Sequence, residues 1–204
     1  PYRGHSQIFG KVNLVRCADC QLVFVRPMPS EEDLYEYNSA YSDNAHGGLN
    51  LHPGALLFFS GMALLRLEHV LSYYPDGGAN IKSVLEIGPG HGFFCEHVLR
   101  RSPACSYSVI ESDHSCRERL RTLGATVYEN LNKLDSWRGT FDLLVMSHVL
   151  EHSGDPFGFL DAAIGLLAPG GVVFIEVPCR DFEFKEEDEP HLVFFDKASL
   201  QRLF

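Results

Sequence analysis

Five short apolar runs, separated by segments of helical period, fill the second half of the chain. The runs have the length of buried strands, and the segments between them repeat apolar residues every three to four positions. The predicted strands are 83–88, 107–111, 125–128, 141–147 and 172–177. The predicted helices between them are 92–101, 113–123 and 156–167. Apolar strands that alternate with helices are typical of a parallel sheet covered on both faces.

Right-handed crossovers make 3-2-1-4-5 the economical order for these five strands. The predicted fold class is therefore α/β, with a doubly wound, mainly parallel, Rossmann-like sheet. Polar residues at 178–190 are mostly acidic and predict a solvated loop after the fifth strand.

The first half of the chain has a different pattern. Two alternating runs, Val12–Arg16 and Leu22–Val25, flank Cys17 and Cys20 and predict a hairpin with a cysteine turn. Ser30, followed by three acidic residues, predicts the N-cap and first turn of a helix.

Residues 42–54 are rich in Gly, Ser, Asn and Pro and predict a loop. Helical spacing from 55 to 74 predicts a helix that covers the sheet. The expected organisation is a hairpin and helix at 1–45, a covering helix at 46–80 and the sheet core at 81–204.

The composition of the chain argues against some classes of partner and location. A formal net charge of -10 argues against nucleic acid as a partner, because phosphate binding requires basic patches. The most apolar stretch, Ala55–Leu65, is shorter than the ~20 residues of a membrane span, so no membrane partner is expected. Six cysteines without a secretory signal indicate a reducing compartment and a cytoplasmic location. The oligomeric state is left open.

A glycine turn follows the first core strand, with glycines at 88, 90 and 92. Strand, glycine turn and helix together form the usual nucleotide cradle of doubly wound sheets. The spacing is G-x-G-x-G, whereas the dinucleotide fingerprint is G-x-G-x-x-G. Glu86 would repel a pyrophosphate but could hold a cationic ammonium group. Glu111 ends the second strand, 19 residues after Gly92, where an acid binds ribose hydroxyls.

The stretch from Glu86 to Gly92 resembles motif I of the class I S-adenosylmethionine (SAM) methyltransferases. FDLLVMSHVLEHSGDPFGFLDAAIGLLAPGGVVFIEVP, at 141–178, resembles their motifs IV to VI, including those of enzymes that make ubiquinone-like products. The resemblance implies SAM as cofactor, with the acid near its methionine amino group and the glycines facing it. Proteins of this class usually have two more strands, so the last two strands are expected to be missing here.

The resemblance also places residues around the cofactor that the glycine turn alone does not specify. Asn130 and Leu131 would hold the adenine, and Ser147 and His148 would lie beside the methionine part. The full set of cofactor-binding residues predicted from motif and resemblance is Glu86, Gly88, Pro89, Gly90, Gly92, Glu111, Ser112, Asn130, Leu131, Ser147 and His148.

CADCQLVFVRPMPSEEDLYEYNSAY, at 17–41, resembles the end of the zinc-ribbon segment that precedes some SAM-dependent sugar C-methyltransferases. Cys17 and Cys20 match the second ligand pair of that ribbon. They supply half of a four-ligand zinc site, and no second C-x-x-C occurs in the chain. A zinc ion bound at these two cysteines therefore requires ligands upstream of residue 1. The alternative is a pair of free thiols in a turn.

Three histidines are candidates for the base that would accept the acceptor's proton: His191, His148 and His152. PHLVFFDKASL, at 190–200, is similar to a block of the sugar C-methyltransferases whose histidine is the base, which favours His191. Pro190 stands where that block has glutamate. The alternative is that His191 caps a helix or packs under aromatic residues.

His148 to His152 also matches the zinc-peptidase signature H-x-x-E-H. Ser153-Gly154-Asp155-Pro156 interrupts the helix that this signature requires. The predicted function is SAM-dependent methyl transfer to a small-molecule acceptor, a sugar or another metabolite. The alternatives are a NAD-dependent oxidoreductase and a non-catalytic SAM-binding partner of another protein.

Overall fold

The computed structural model describes residues 2–46 and 52–203. Its main sheet has five strands: β3 Ser83–Ile87, β4 Ser106–Ile110, β5 Thr126–Tyr128, β6 Phe141–Ser147 and β7 Leu167–Glu176. Their order is β5-β4-β3-β6-β7, and every neighbouring pair is parallel. Counted from the first core strand, this order is 3-2-1-4-5, so the predicted fold class is confirmed.

Helices cover both faces of the main sheet. They are α3 Pro53–Leu71, α4 Phe93–Arg101, α5 His114–Leu123 and α6 Pro156–Ile164. Side chains alternate along β3: Val84 packs with α3, α4 and α5, whereas Leu85 and Ile87 pack in the core that includes α6. Because helices cover both faces of the sheet, side chains that point to either face are buried, and the core strands have no polar face.

A second sheet joins distant parts of the chain. The predicted hairpin is confirmed as β1 Asn13–Arg16 and β2 Val23–Arg26, and β2 also pairs with β8 Val193–Phe194. Ser30 caps α1 Glu31–Ser39 through a capping box with Asp33, as predicted. The last helix is α7 Lys197–Gln201. The domain boundaries at 45 and 80 stay predictions.

The predicted loop at 42–54 is wrong at both ends. Its first residues belong to a helix, α2 Tyr41–His46, and its last two belong to α3, which begins at Pro53. Residues 47–51 lie outside the described part of the chain. Helix α3 is capped by the His52 side chain and has Pro at its first position.

Helix α3 is longer than the apolar stretch from which the sequence argument excluded a membrane span. By length and composition its 19 residues could cross a bilayer, and only 22% of an 18-residue window is buried in the protein. Leu67, Val70 and Leu71 pack in the core, whereas Leu57, Phe58 and Leu65 are exposed. The expectation that the most apolar stretch is too short to span a membrane is therefore wrong.

The fifth core strand begins five residues earlier than predicted. Leu167 already pairs with Phe141, so the expected stop at Pro169-Gly170-Gly171 lies inside β7. The register shifts between Phe141 and Leu143. Gly170 has φ 80°, a left-handed conformation that suits glycine, and it lies within this irregular stretch.

The prediction of a solvated loop at 178–190 holds for only part of the segment. Glu183, Glu186 and Glu187 are exposed, whereas Asp181, Asp188 and Glu189 are buried. The guanidinium of Arg3 donates to both carboxylate oxygens of Asp188, with Nε at 3.1 Å and Nη2 at 2.7 Å. Asp188 and Glu189 can be buried because a segment from the other end of the chain pairs with them, and Asp181 can be buried because it pairs with His191.

Candidate active site

A cavity of about 840 Å³ opens at the carboxyl ends of the strands, where ligands dock in this class of sheet. Eight of the eleven predicted cofactor residues line it, and they lie at or just after the ends of four different strands. They are Gly88, Gly90, Glu111, Ser112, Asn130, Leu131, Ser147 and His148. The volume falls within the range of small-molecule sites.

Glu111 is fixed at the centre of this wall. Its Oε2 accepts the Gly90 N–H at 2.9 Å, and its Oε1 accepts the Asp113 N–H at 2.8 Å. Burial raises the pKa of Glu111, and the two N–H donors lower it by less. Each oxygen retains acceptor capacity, so the carboxylate can accept from two neighbouring hydroxyl groups.

The three glycines of the turn have different roles. All have positive φ, and Gly88 and Gly90 line the cavity. Around Gly90 a Cβ atom would meet nothing within 4 Å. At Gly92 a Cβ atom would lie 2.7 Å from Leu120 Cδ2 and 2.9 Å from Leu123 Cδ1. Gly92 therefore allows α4 and α5 to pack closely, and it does not line the cavity.

Glu86, Pro89 and Gly92 are the predicted cofactor residues that the structure does not bring to the cavity wall. Glu86 points to the opposite face of β3, where the Tyr107 hydroxyl donates to its Oε2 at 2.7 Å. Burial raises the pKa of Glu86 to about 7. Direct contact with a methionine amino group is therefore not expected of this side chain.

Glu86→Gln should remove the decrease in the free energy of unfolding that Glu86 causes as the pH rises. Because the folded pKa is raised from 4.5 to about 7, the stability that protonated Glu86 contributes is complete below pH 4.5 and is lost as the pH rises through 7. The loss should be at most about 3.5 kcal/mol, since one pKa unit corresponds to about 1.4 kcal/mol.

Urea unfolding at pH 5 and pH 8 measures this difference. Glu86→Gln should lose less stability between the two pH values than the wild type loses. Glu118→Gln, at a side chain 88% exposed on α5, is the matched control and should keep the wild-type difference. An unchanged pH dependence in Glu86→Gln would contradict the assignment of a buried, protonated carboxyl group.

His148 and His152 line the cavity, whereas His191 lies behind them. The His148 side chain is 47% exposed, and its Nδ1 lies 3.3 Å from Glu151 Oε1. The carboxylate of Glu151 raises the pKa of His148 by more than burial lowers it. Burial lowers the pKa of His152, whose ring lies edge-on to Tyr41 and to His191.

His191 was the preferred base, and its position does not favour that role. It is buried, and its Nδ1 lies 2.6 Å from Asp181 Oδ2. Burial alone would raise the pKa of Asp181, but His191 and the neighbouring charge of Lys185 lower it on balance. The segment is held in place because the Leu192 N–H donates to the Glu151 carbonyl at 2.7 Å.

Cys17 and Cys20 lie in the turn between β1 and β2, half-buried and without a disulfide. Backbone N–H groups of Cys20 and Asp19 lower the pKa of the Cys17 thiol. Within residues 2–46 and 52–203, no third His, Cys, Asp or Glu joins them in a metal-sized cluster. The zinc half-site stays a prediction.

Sequence reasoning missed the opposite wall of the cavity. The first two helices and the segment before them supply Met28, Leu34, Tyr41 and Ser42. The Ser42 N–H donates to Asp113 Oδ2 at 2.7 Å, which attaches α2 to the loop after β4. The two residues are 71 positions apart, so no local pattern indicates this contact.

A family model described as a methyltransferase domain matches residues 50–204. The chain belongs to this methyltransferase-domain family. The match includes the glycine turn, all five strands of the main sheet and the three histidines. It begins before α3, so the hairpin, α1 and α2 lie outside it, although α1 and α2 form part of the cavity wall.

Similar proteins agree with membership of the methyltransferase-domain family. A ubiquinone biosynthesis O-methyltransferase of Sodalis glossinidius is 25% identical over 167 residues, covering 71% of this chain and 66% of the relative. The chain thus spans just under two thirds of that relative's length.

Two solved structures share the methyltransferase-domain fold. One is a SAM-dependent methyltransferase of Thermotoga maritima, described as a possible histamine N-methyltransferase, with TM-score 0.56, 22% identity and 72% of each chain covered. The other is the plantazolicin methyltransferase in complex with SAH, with TM-score 0.60, 17% identity and coverage of 85% of this chain and 76% of that one. At these identities the likeness shows the fold alone.

Proposed function

We propose that this chain binds SAM in the cavity and transfers its methyl group to a small-molecule acceptor. The main support is that eight of the residues predicted to bind the cofactor lie at four strand ends and line one cavity around the Glu111 carboxylate. Family membership, the O-methyltransferase relative and a structural neighbour that holds SAH support it.

The charge of the cavity suits a cationic cofactor. Acidic residues line it, namely Glu31, Glu111, Asp113, Glu129 and Asp155, and among the described lining residues there is no Lys or Arg. The sulfonium of SAM is positive, whereas the pyrophosphate of a dinucleotide needs donors and positive charge. The NAD-dependent alternative is therefore disfavoured, and an anionic acceptor is disfavoured for the same reason.

The acceptor would lie between the methyl group and the apolar wall opposite. Met28, Leu34, Tyr41 and Phe159 form that wall. Since the methyl group of SAM is already activated, alignment of the acceptor supplies much of the rate enhancement. We propose an uncharged, partly apolar acceptor with a hydroxyl group, in line with the O-methyltransferase relative. A sugar and other metabolites both remain within this class.

The test is a methyl-transfer assay with radiolabelled SAM and a panel of hydroxylated metabolites. Labelled product from an uncharged hydroxyl compound is the expected result. A chain that binds S-adenosylhomocysteine (SAH) and methylates nothing in a broad panel would favour the non-catalytic alternative. Binding of NADH in place of SAH would favour the oxidoreductase. The cytoplasmic location and the absence of membrane and nucleic-acid partners stay predictions.

We propose His148 as the residue that accepts the acceptor's proton, because its ring is exposed in the cavity wall. With the acceptor identified by the panel, His148→Ala should lower turnover by about 10²–10⁴, the usual contribution of a general base. Calorimetry with SAH should show a loss of cofactor affinity far smaller than the loss of turnover. His114→Ala, at an exposed position that begins α5, should keep full activity. Full activity of His148→Ala would refute the assignment.

A further inference from the structure

We propose that Glu151, His152 and His191 bind a divalent transition-metal ion at the cavity wall. One potential ligand atom from each residue lies within 4.8 Å of the other two. The proposed methyl transfer assigns no direct role to these three side chains. Binding of the ion requires neither SAM nor the acceptor, so it can be tested whether or not the proposed function holds.

Glu151 is the strongest reason to expect a ligand. Its side chain is 1% exposed, and among the described residues neither carboxylate oxygen accepts a hydrogen bond. The His148 ring is near Oε1, with Nδ1 at 3.3 Å, but is not aligned as a donor. Buried carboxylates in proteins are normally hydrogen-bonded, paired with a positive charge, or bound to a metal ion. Oε2 has none of these partners in the described part of the chain.

His191 has the arrangement of a metal-ligating histidine. Its Nδ1 and Asp181 Oδ2 are 2.6 Å apart, and both side chains are buried. A hydrogen bond to the carboxylate fixes the proton on Nδ1 and leaves Nε2 as the ligand atom. Carboxylate, histidine and metal in this order are the usual outer-shell support of a metal site.

His152 completes the set and places it beside the cavity. Its Nδ1 lies 3.4 Å from the Pro190 carbonyl, which leaves Nε2 available. The His152 ring lies 4.9 Å, centroid to centroid, from that of His191. The hydrogen bond from Leu192 N–H to the Glu151 carbonyl holds the two segments together. Because His152 also lines the cavity, a bound ion would have an open coordination position there.

The distances allow coordination after a small movement. Three atoms that lie within 4.8 Å of one another share a central point at most about 2.8 Å from each. Zinc binds nitrogen and oxygen at about 2.1 Å, so each ligand atom would move inward by at most about 0.7 Å. Two histidines and one carboxylate suit Zn²⁺, Co²⁺ and Fe²⁺, and three protein ligands with an open position are typical of catalytic sites.

The test uses protein in which Cys17→Ser and Cys20→Ser remove the competing half-site. After dialysis against a chelator, the chain is titrated with Co²⁺, followed by visible absorption, and with Zn²⁺ by calorimetry. One ion per chain is expected. Glu151→Gln and His191→Asn should weaken Zn²⁺ binding at least 100-fold. Asp181→Asn, which removes only the support of His191, should weaken it 10- to 100-fold.

Asp155→Asn is the matched control, because Asp155 lines the same cavity outside the cluster, and it should bind Zn²⁺ as tightly as the parent. Circular dichroism and SAH binding check that each variant is folded. If the Glu151 and His191 variants do not fold, the Zn²⁺ affinity of Asp181→Asn provides the test. Absence of a stoichiometric ion in the parent would overturn the proposal. Zn²⁺ affinity that is unchanged in all three variants would overturn it equally.

Discussion

Replacing Glu111 with alanine will weaken SAH binding by two to four orders of magnitude. Each hydrogen bond to a charged group contributes about 1.5–3 kcal/mol, and we expect Glu111 to accept one from each ribose hydroxyl. The loss of both bonds is therefore about 3–6 kcal/mol, where 1.4 kcal/mol is tenfold in affinity. Calorimetry with SAH measures the change directly.

Two further variants separate ribose recognition from damage to the loop. Glu111 also accepts the Gly90 and Asp113 N–H groups. Glu111→Gln turns an amide N–H₂ toward one of these donors, so it should weaken binding nearly as much as alanine does. Glu129→Gln, 61% exposed at the same cavity, should change the affinity by less than about threefold, because exposed charges contribute little. Unchanged affinity in Glu111→Ala would refute the ribose assignment.

Gly92→Ala will destabilise the fold by about 2–5 kcal/mol. The left-handed conformation at φ 73° costs about 1–2 kcal/mol for a residue with a Cβ atom. That Cβ would lie within 3.0 Å of Leu120 and Leu123 side-chain atoms, and overpacking of this kind costs about 1–3 kcal/mol. Urea unfolding followed by circular dichroism gives the free-energy difference.

Gly90→Ala is the matched comparison, because its φ is 52° but its Cβ would meet nothing within 4 Å. It should cost only the conformational part, about 1–2 kcal/mol of stability. Its methyl group would instead project toward the cofactor cavity and weaken SAH binding. Equal destabilisation by the two substitutions would show that Gly92 is not a packing position.

The sheet and the site around Glu111 were predictable because both depend on local patterns. Apolar runs and breaks located all five core strands, with an error of five residues at the start of β7. Parallel strands place their carboxyl ends at one edge, so residues after different strands meet there. Glu111, Asn130 and Ser147 lie at or just after the ends of three different strands and line one cavity for this reason.

The errors concern side-chain direction and contacts between distant segments. Ile87 faces the cavity, so the period of two along β3 directs Glu86 to the other face, which the motif alone did not reveal. The Arg3–Asp188 pair spans 185 positions, and it buries a segment whose composition favours solvent. The burial of His191 depends on the same kind of distant contact, through β2 and β8.

A crystal structure of the chain grown with saturating SAH is the most direct test of cofactor binding in the cavity. We expect SAH in the cavity, with both ribose hydroxyls within hydrogen-bond distance of the Glu111 carboxylate and the adenine beside Asn130 and Leu131. SAH bound elsewhere on the protein, or a cavity that stays without SAH at saturating concentration, would contradict it.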